Sequence, residues 1–120
     1  MKIKIKTRED TYFLKLMLIL SNIPPFDRLR PKELILYSHL LNLNHKYRNI
    51  PFKERNKLIF NYDTKLELAD KMKVKQIGIN NMISVLRTTG LIEERALIPK
   101  YTLNKVRELT FVFEDEEDSN

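Results

Sequence analysis

The sequence of 120 residues contains no cysteine, no tryptophan, two glycines and two histidines. Without cysteine, disulfides, thiolate catalysis and cysteine-ligated zinc are excluded. His39 and His45 are six residues apart on one predicted helix, so they point about 120° away from each other. There is also no glycine-rich phosphate loop and no recognisable Ser-His-Asp arrangement. We therefore expect no metal, no cofactor, no small-molecule substrate and no enzymatic activity.

Long hydrophobic runs are absent as well. The longest apolar stretch, Tyr12 to Leu20, is interrupted by Lys15 and is too short to cross a bilayer. The N-terminus has no apolar signal-peptide core and no small-residue cleavage site. These features predict no membrane association and a cytoplasmic location.

Charge is unevenly distributed along the chain. The net charge is +6, and it would be +11 without the five carboxylates of the segment 114–120. A basic body favours a polyanionic partner, because neutralising phosphates releases condensed counterions. We expect a single domain over residues 1–113 and an acidic tail over 114–120. The tail is either a solubilising end or an electrostatic mimic of nucleic acid that occupies the basic surface.

Two short helical patterns lie between Thr64 and Ile92. Thr64 and Glu67 have the spacing of a capping box, which predicts a helix from Lys65 to Met72. A second helix is predicted over residues 75–88, because its apolar residues recur at helical spacing. These apolar residues are Ile79, Ile83 and Leu86. The opposite face is polar but nearly uncharged, and it consists of Gln76, Ile77, Asn80, Asn81 and Ser84.

This region resembles the winged helix-turn-helix superfamily of small bacterial and phage DNA-binding proteins. The residues that carry the resemblance are Glu67-Leu68-Ala69, then Val74, Ile79 and Leu86, then Arg87-Thr88-Thr89-Gly90-Leu91-Ile92. The resemblance covers roughly a third of the chain, and it implies a mainly α fold with a small antiparallel β-sheet. It also implies that the second helix enters the major groove of DNA. The sequence departs from the family pattern with Lys73 in place of the usual turn glycine, Lys75 in place of a capping residue, and Gly78 inside the second helix.

The N-terminal half is predicted to supply a scaffold. Met1 to Lys6 alternates lysine and isoleucine, which predicts a strand that serves as a protected edge or faces phosphates. A helix over residues 8–20 is apolar nearly all round, which favours a self-association or partner surface. The next helix is predicted from Pro31 to Lys46, with proline at its first position.

Further strands and loops are predicted around the two short helices. The segment 46–57 is interpreted as a basic loop that is solvated or touches phosphates, and Leu58 to Phe60 as a short strand. The wing strands are predicted at 91–95 and 101–103, with Arg95 and Lys100 at the tip. A last strand, over 108–113, is predicted to pair with the N-terminal strand.

The leading hypothesis is a small phage or bacterial transcriptional regulator that binds double-stranded DNA. Asparagine and glutamine side chains can bond adenine through two atoms, and Ile77 can pack on a thymine methyl, so we expect an A·T-rich target. The candidate base contacts are Gln76, Ile77, Asn80, Asn81 and Ser84. The candidate backbone contacts are Lys65, Lys73, Lys75, Arg87, Arg95 and Lys100.

A second hypothesis belongs to another class of protein. The same fold can serve as a protein-protein adaptor or a structural component of a larger assembly such as a phage virion, with the helix 8–20 against a partner or a second copy. A replication or partition factor is a third possibility. The abundance of lysine, asparagine and isoleucine fits a phage or an A·T-rich bacterial genome, so the expected location is the host cytoplasm or, for the second hypothesis, the virion.

Overall fold

The computed structural model describes residues 1–103 and 108–115. Over these residues the chain forms helices joined to one two-stranded antiparallel sheet, so the predicted class, mainly α with a small antiparallel sheet, is confirmed. The elements are α1 (Tyr12–Leu20), α2 (Pro31–Lys46), α3 (Phe52–Ile59), α4 (Tyr62–Met72), α5 (Gln76–Thr88), β1 (Ile92–Glu93) and β2 (Ala96–Leu97), with 3-10 turns at Phe26–Arg28 and Pro99–Tyr101.

Helix α2 is the centre of the fold and contacts α1, α3, α4 and α5. Its bounds agree with the prediction, and the Arg30 N–H donates to Glu33 Oε1 at 2.8 Å before its first turn. The side chains of Leu36, Tyr37, Leu40 and Leu41 are fully buried. The Tyr37 hydroxyl donates to the Tyr101 carbonyl oxygen at 2.7 Å. Burial, with a smaller contribution from Tyr101, raises the pKa of Tyr37 well above its usual range, so this donor stays neutral.

Helix α1 begins at Tyr12, four residues later than predicted, because residues 8–11 form a turn closed by the Thr11 N–H and the Arg8 carbonyl. One face of the helix packs against α2 and is buried; it consists of Phe13, Leu16, Met17 and Leu20. The other side is open, with Leu18 60% and Ile19 37% exposed. The described residues thus cover this apolar helix on one side only.

The prediction of a basic loop over 46–57 and a strand over 58–60 is wrong from residue 52 onward, because helix α3 begins there. Asn56, Ile59 and Phe60 are buried at spacings of three and four, which places them on one helical face toward the core. Arg55 ties α3 to the loop that precedes it. Its guanidinium donates to the carbonyls of Arg48 and Ile50 and to Asn44 Oδ1, at 3.0–3.2 Å.

Helix α4 begins three residues before the predicted start. Asn61 caps it, because its Oδ1 accepts from the Thr64 N–H at 2.7 Å. The Thr64 hydroxyl donates to the Leu58 carbonyl instead of capping a helix, so the predicted Thr64–Glu67 capping box is wrong. The predicted second helix is confirmed as α5 to within one residue, and its apolar stripe Ile79, Ile83 and Leu86 is buried.

The sheet is a tight hairpin. Ile92 lies opposite Leu97 and Glu93 opposite Ala96, so the connecting turn contains only Glu94 and Arg95. Glu94 has a φ of +37°, as such two-residue turns require. The predicted second strand at 101–103 is therefore wrong, and Lys100 lies on the following 3-10 turn and not at the tip. Arg95 does occupy the tip.

The outer edge of the hairpin is completed by a side chain of α3. Asn56 Oδ1 accepts from the Leu97 N–H at 3.0 Å, and Asn56 Nδ2 donates to the Phe52 carbonyl at 2.9 Å. Asn56 is only 5% exposed, so both polar groups depend on these partners. The edge of the hairpin is therefore met by this amide, and the short strand predicted at 58–60 is helical up to Ile59.

The two terminal segments form no strands within the described residues. The predicted pairing of 1–6 with 108–113 is therefore wrong as a ladder, although Lys2 Nζ lies 3.6 Å from Glu108 Oε1 in an exposed ion pair. Of the predicted acidic tail, residues 116–120 lie outside the described residues, as do 104–107. In the described ranges, no helix has the length and apolar character needed to cross a membrane.

The hydrogen bonds of Asn56 to Leu97 and Phe52 predict that removing this side chain lowers the stability of the fold. Asn56→Ala leaves the buried Leu97 N–H without an acceptor, so the free energy of unfolding should fall by about 2 kcal/mol. Thermal and urea unfolding followed by circular dichroism measure this change. Asn49→Ala, at an exposed loop position, is the matched control and should leave stability unchanged. Equal stability of the two variants would contradict the role given to Asn56.

Candidate nucleic-acid interface

Helices α4 and α5 are joined by three residues, Lys73 to Lys75. Lys73 adopts the left-handed conformation with a φ of +56°. Its N–H donates to the Asp70 carbonyl, and the Val74 N–H donates to the Ala69 carbonyl at 2.9 Å. These two bonds form a Schellman motif, in which glycine is the usual left-handed residue. The tight turn between α4 and α5 thus forms with lysine in the left-handed position, where the resemblance stated above leads one to expect glycine.

The five candidate base-contact residues share one face of α5. They lie at positions 76, 77, 80, 81 and 84, which recur at helical spacing. Ile77 is 67% exposed, Asn80, Asn81 and Ser84 are exposed, and Gln76 is half-buried. Within the described chain, no group hydrogen-bonds the side-chain amides of Asn80 or Asn81. The face is therefore open, and its polar atoms are available to a partner.

Arg87 connects α5 to the hairpin. Its Nε and Nη2 donate to the Glu94 carbonyl oxygen at 3.3 and 2.9 Å. This carbonyl belongs to the hairpin turn, so the guanidinium fixes the tip beside α5. The sequence assigned Arg87 to the DNA backbone, and the structure gives it this internal role. Nothing in the local sequence marks the bond, because its acceptor is a main-chain oxygen seven residues away.

The other candidate backbone contacts fall into two groups. Lys73 and Lys75 precede α5, and Arg95 lies at the hairpin tip; all three are exposed. In the part of the chain that the structure describes, none of them forms an ion pair. Lys65 is half-buried in α4, and Lys100 lies with its Nζ 5.3 Å from the centre of the Tyr101 ring. The structure thus brings Lys73, Lys75 and Arg95 to the borders of α5 and the hairpin, and leaves Lys65 and Lys100 on neighbouring elements.

The histidines lie away from this face. Burial and the charge of Lys71 lower the pKa of His39, and His45 Nε2 lies 3.6 Å from Glu9 Oε1. Among the residues described, no group of three histidine or carboxylate side chains is placed to hold a metal ion.

Comparisons of the chain with protein-family models, curated protein sequences and solved structures give no match. A functional interpretation therefore depends on the geometry of α5 and the hairpin.

Gly78 and Gly90 should respond in opposite ways to substitution by alanine. Gly78 lies inside α5, and a Cβ there would meet Val74 at an ordinary contact distance of 3.8 Å. Gly78→Ala should raise the free energy of unfolding by about 0.5–1 kcal/mol, because alanine loses less backbone entropy in a helix.

Gly90→Ala is the matched control. Gly90 lies two residues after the last residue of α5 and has a φ of +85°. A Cβ there would meet no atom, but this backbone conformation is strained for alanine. This variant should lower the free energy of unfolding by about 1 kcal/mol. Both values come from thermal unfolding. A loss of stability in Gly78→Ala would show that the fold, and not a partner, requires glycine in α5.

Proposed function

We propose that this chain is a DNA-binding protein of the winged helix-turn-helix type, and that it acts as a small transcriptional regulator of phage or bacterial origin. Helices α4 and α5 form the helix-turn-helix, α5 enters the major groove, and the β1–β2 hairpin is the wing. The observation that carries this proposal is the open face of α5 with the unpaired amides of Asn80 and Asn81.

The chemistry of this face suits base edges better than solvent. A solvated helix face usually carries lysine and glutamate, whereas this one carries neutral amides, a hydroxyl and Ile77. Each amide can bond adenine N6 and N7 at once, and an exposed isoleucine can pack on a thymine methyl. We therefore expect the DNA target to be rich in A·T pairs. Gln76 and Ser84 complete the contacts proposed at the two ends of the face.

The cations around the face suit the phosphate backbone. Lys73 and Lys75 flank the start of α5, and Arg95 is held at the wing tip by the Arg87–Glu94 contact. Such contacts position a protein on DNA without selecting sequence. Without the acidic segment 114–120 the net charge would be +11, which favours association with a polyanion.

The proposal predicts that base preference and overall affinity separate by mutation. Asn80→Ala or Asn81→Ala should lose about 1–3 kcal/mol of discrimination between A·T-rich and G·C-rich duplexes. Arg95→Gln should weaken binding to all sequences and reduce the salt slope by about 1. Sites selected from a random duplex library, followed by fluorescence titration at several salt concentrations, provide both measurements.

Asn22→Ala, at an exposed position outside α5, is the matched control and should behave like the wild type. If Asn80→Ala and Asn81→Ala keep the wild-type base preference, then α5 does not read the bases through these amides.

A protein adaptor, such as a component of a phage virion, is the second candidate function, and the open side of α1 favours it. Leu18 and Ile19 are exposed there, and adjacent exposed apolar side chains of this size favour a protein partner. Under this reading α5 also packs on protein. Duplex binding separates the two functions, because a salt-dependent affinity supports the regulator and none at low salt supports the adaptor.

The open side of α1 also predicts self-association. The wild-type protein should form dimers in sedimentation experiments over a range of concentrations, and Leu18→Lys should be monomeric, because a buried lysine opposes the contact. Lys32→Gln on α2 is the charge-change control and should dimerise like the wild type. A wild-type protein that remains monomeric throughout would exclude a self-association role for α1.

A further inference from the structure

A second basic surface lies on the far side of the hairpin from α5. The hairpin sits between two helices, since β1 contacts α5 and β2 contacts α3. An open groove of about 430 Å³ runs along α3, the hairpin tip and the start of α4. Its cations are Lys53, Lys57 and Arg95. The sequence predicted a basic loop here, and only the helical form of α3 brings these charges together.

The three cations of the groove have no internal partners in the described chain. All three are exposed, and no carboxylate lines the groove. Glu54 and Glu94, their acidic neighbours in sequence, lie outside it. Arg55, on the same helix, differs from these cations, because its guanidinium donates to the carbonyls of Arg48 and Ile50. The cations of α3 are thus one arginine that binds the preceding loop and two lysines without a partner among the described residues.

The arrangement of these charges opposes the stability of α3. Lys53 and Lys57 are four residues apart, so their side chains are neighbours on one helical face, and like charges at this spacing weaken a helix. Arg95 is brought to the same groove by the hairpin turn that Arg87 fixes. Three unpaired charges around one groove are complementary to an anion with several charged groups.

The two asparagine side chains that line the groove both take part in hydrogen bonds of the fold. Asn56 uses both its amide atoms in contacts with Leu97 and Phe52, and Asn61 Oδ1 caps α4. The walls include the rings of Phe52 and Phe60. The groove therefore offers positive charge and apolar surface but no buried amide free to read a base. Such a surface recognises a backbone and not a sequence.

We propose that the groove between α3 and the hairpin binds the sugar–phosphate backbone of the same duplex whose major groove α5 occupies. DNA would then be contacted on both sides of the hairpin, with Lys53, Lys57 and Arg95 against phosphates. This inference rests on the proposed function, and it adds a helix, α3, to the DNA-contacting surface.

The test is the salt dependence of duplex binding by the full chain. Lys53→Gln/Lys57→Gln should lower the slope of log K against log salt concentration by about 2, because each lost phosphate contact removes about 0.9. Affinity should fall for every duplex, and base preference should stay as in the wild type. Lys53→Arg/Lys57→Arg keeps the charges and should retain the slope. Both positions are exposed, and circular dichroism verifies the fold.

The matched control is Lys32→Gln/Lys71→Gln, which removes the same charge from exposed positions outside the groove. It should change the slope far less. An equal reduction in both double variants would mean that net charge alone acts, and it would overturn the inference. An unchanged slope in Lys53→Gln/Lys57→Gln would also overturn it.

The outcomes separate this inference from the proposed function. If the groove variant binds like the wild type while the Asn80 and Asn81 variants lose base preference, then only the groove is wrong. If the groove variant loses slope while base preference survives the asparagine substitutions, then the groove stands and base reading by α5 fails. A wild-type protein that binds no duplex at low salt overturns both.

Discussion

Burial of α2 on several sides at once is the constraint on which the other elements depend. Leu36, Tyr37, Leu40 and Leu41 have no exposed surface, and four helices pack around them. A central helix that is covered on several sides leaves each surrounding helix to present an apolar face inward and its other face outward. That arrangement gives α5 a buried stripe and an open polar face, which makes the face available to a partner.

The hairpin is too short to be stable alone, and side chains from two helices hold it. A two-stranded ribbon of two residues a strand contributes little by itself. On one side, Asn56 of α3 accepts from the backbone N–H of Leu97 in β2. On the other, Arg87 of α5 donates to the Glu94 carbonyl in the turn. The tip is thereby fixed relative to both helices. Arg95 owes its position to contacts made by residues far from it in sequence.

The parts of the fold that local patterns determine could be predicted from the sequence, and the parts set by distant contacts could not. The bounds of α2 and α5, the buried stripe and the candidate face of α5 follow from helical spacing. The sequence does not predict α3, because an apolar run of three residues, Leu58 to Phe60, suits a strand equally well. The start of α4 was misplaced because Asn61 and Thr64 are both capping residues, and only the structure shows which one is used. The role of Arg87 and the groove beside Lys53 depend on tertiary contacts that have no sequence signature.

Arg55 and Arg87 differ from the exposed lysines in chemistry as well as in position. Arg55 and Arg87 each direct a planar guanidinium with several donors at main-chain carbonyls, which a single ammonium group could not match. The lysines at positions 53, 57, 73 and 75 are exposed and unpaired within the described residues, and an ammonium group on a flexible stem is suited to neutralise a phosphate as a point charge. In the function proposed above, selection among bases is left to the neutral face of α5. Affinity and sequence preference then reside in different residue types, and we expect substitutions to separate the two.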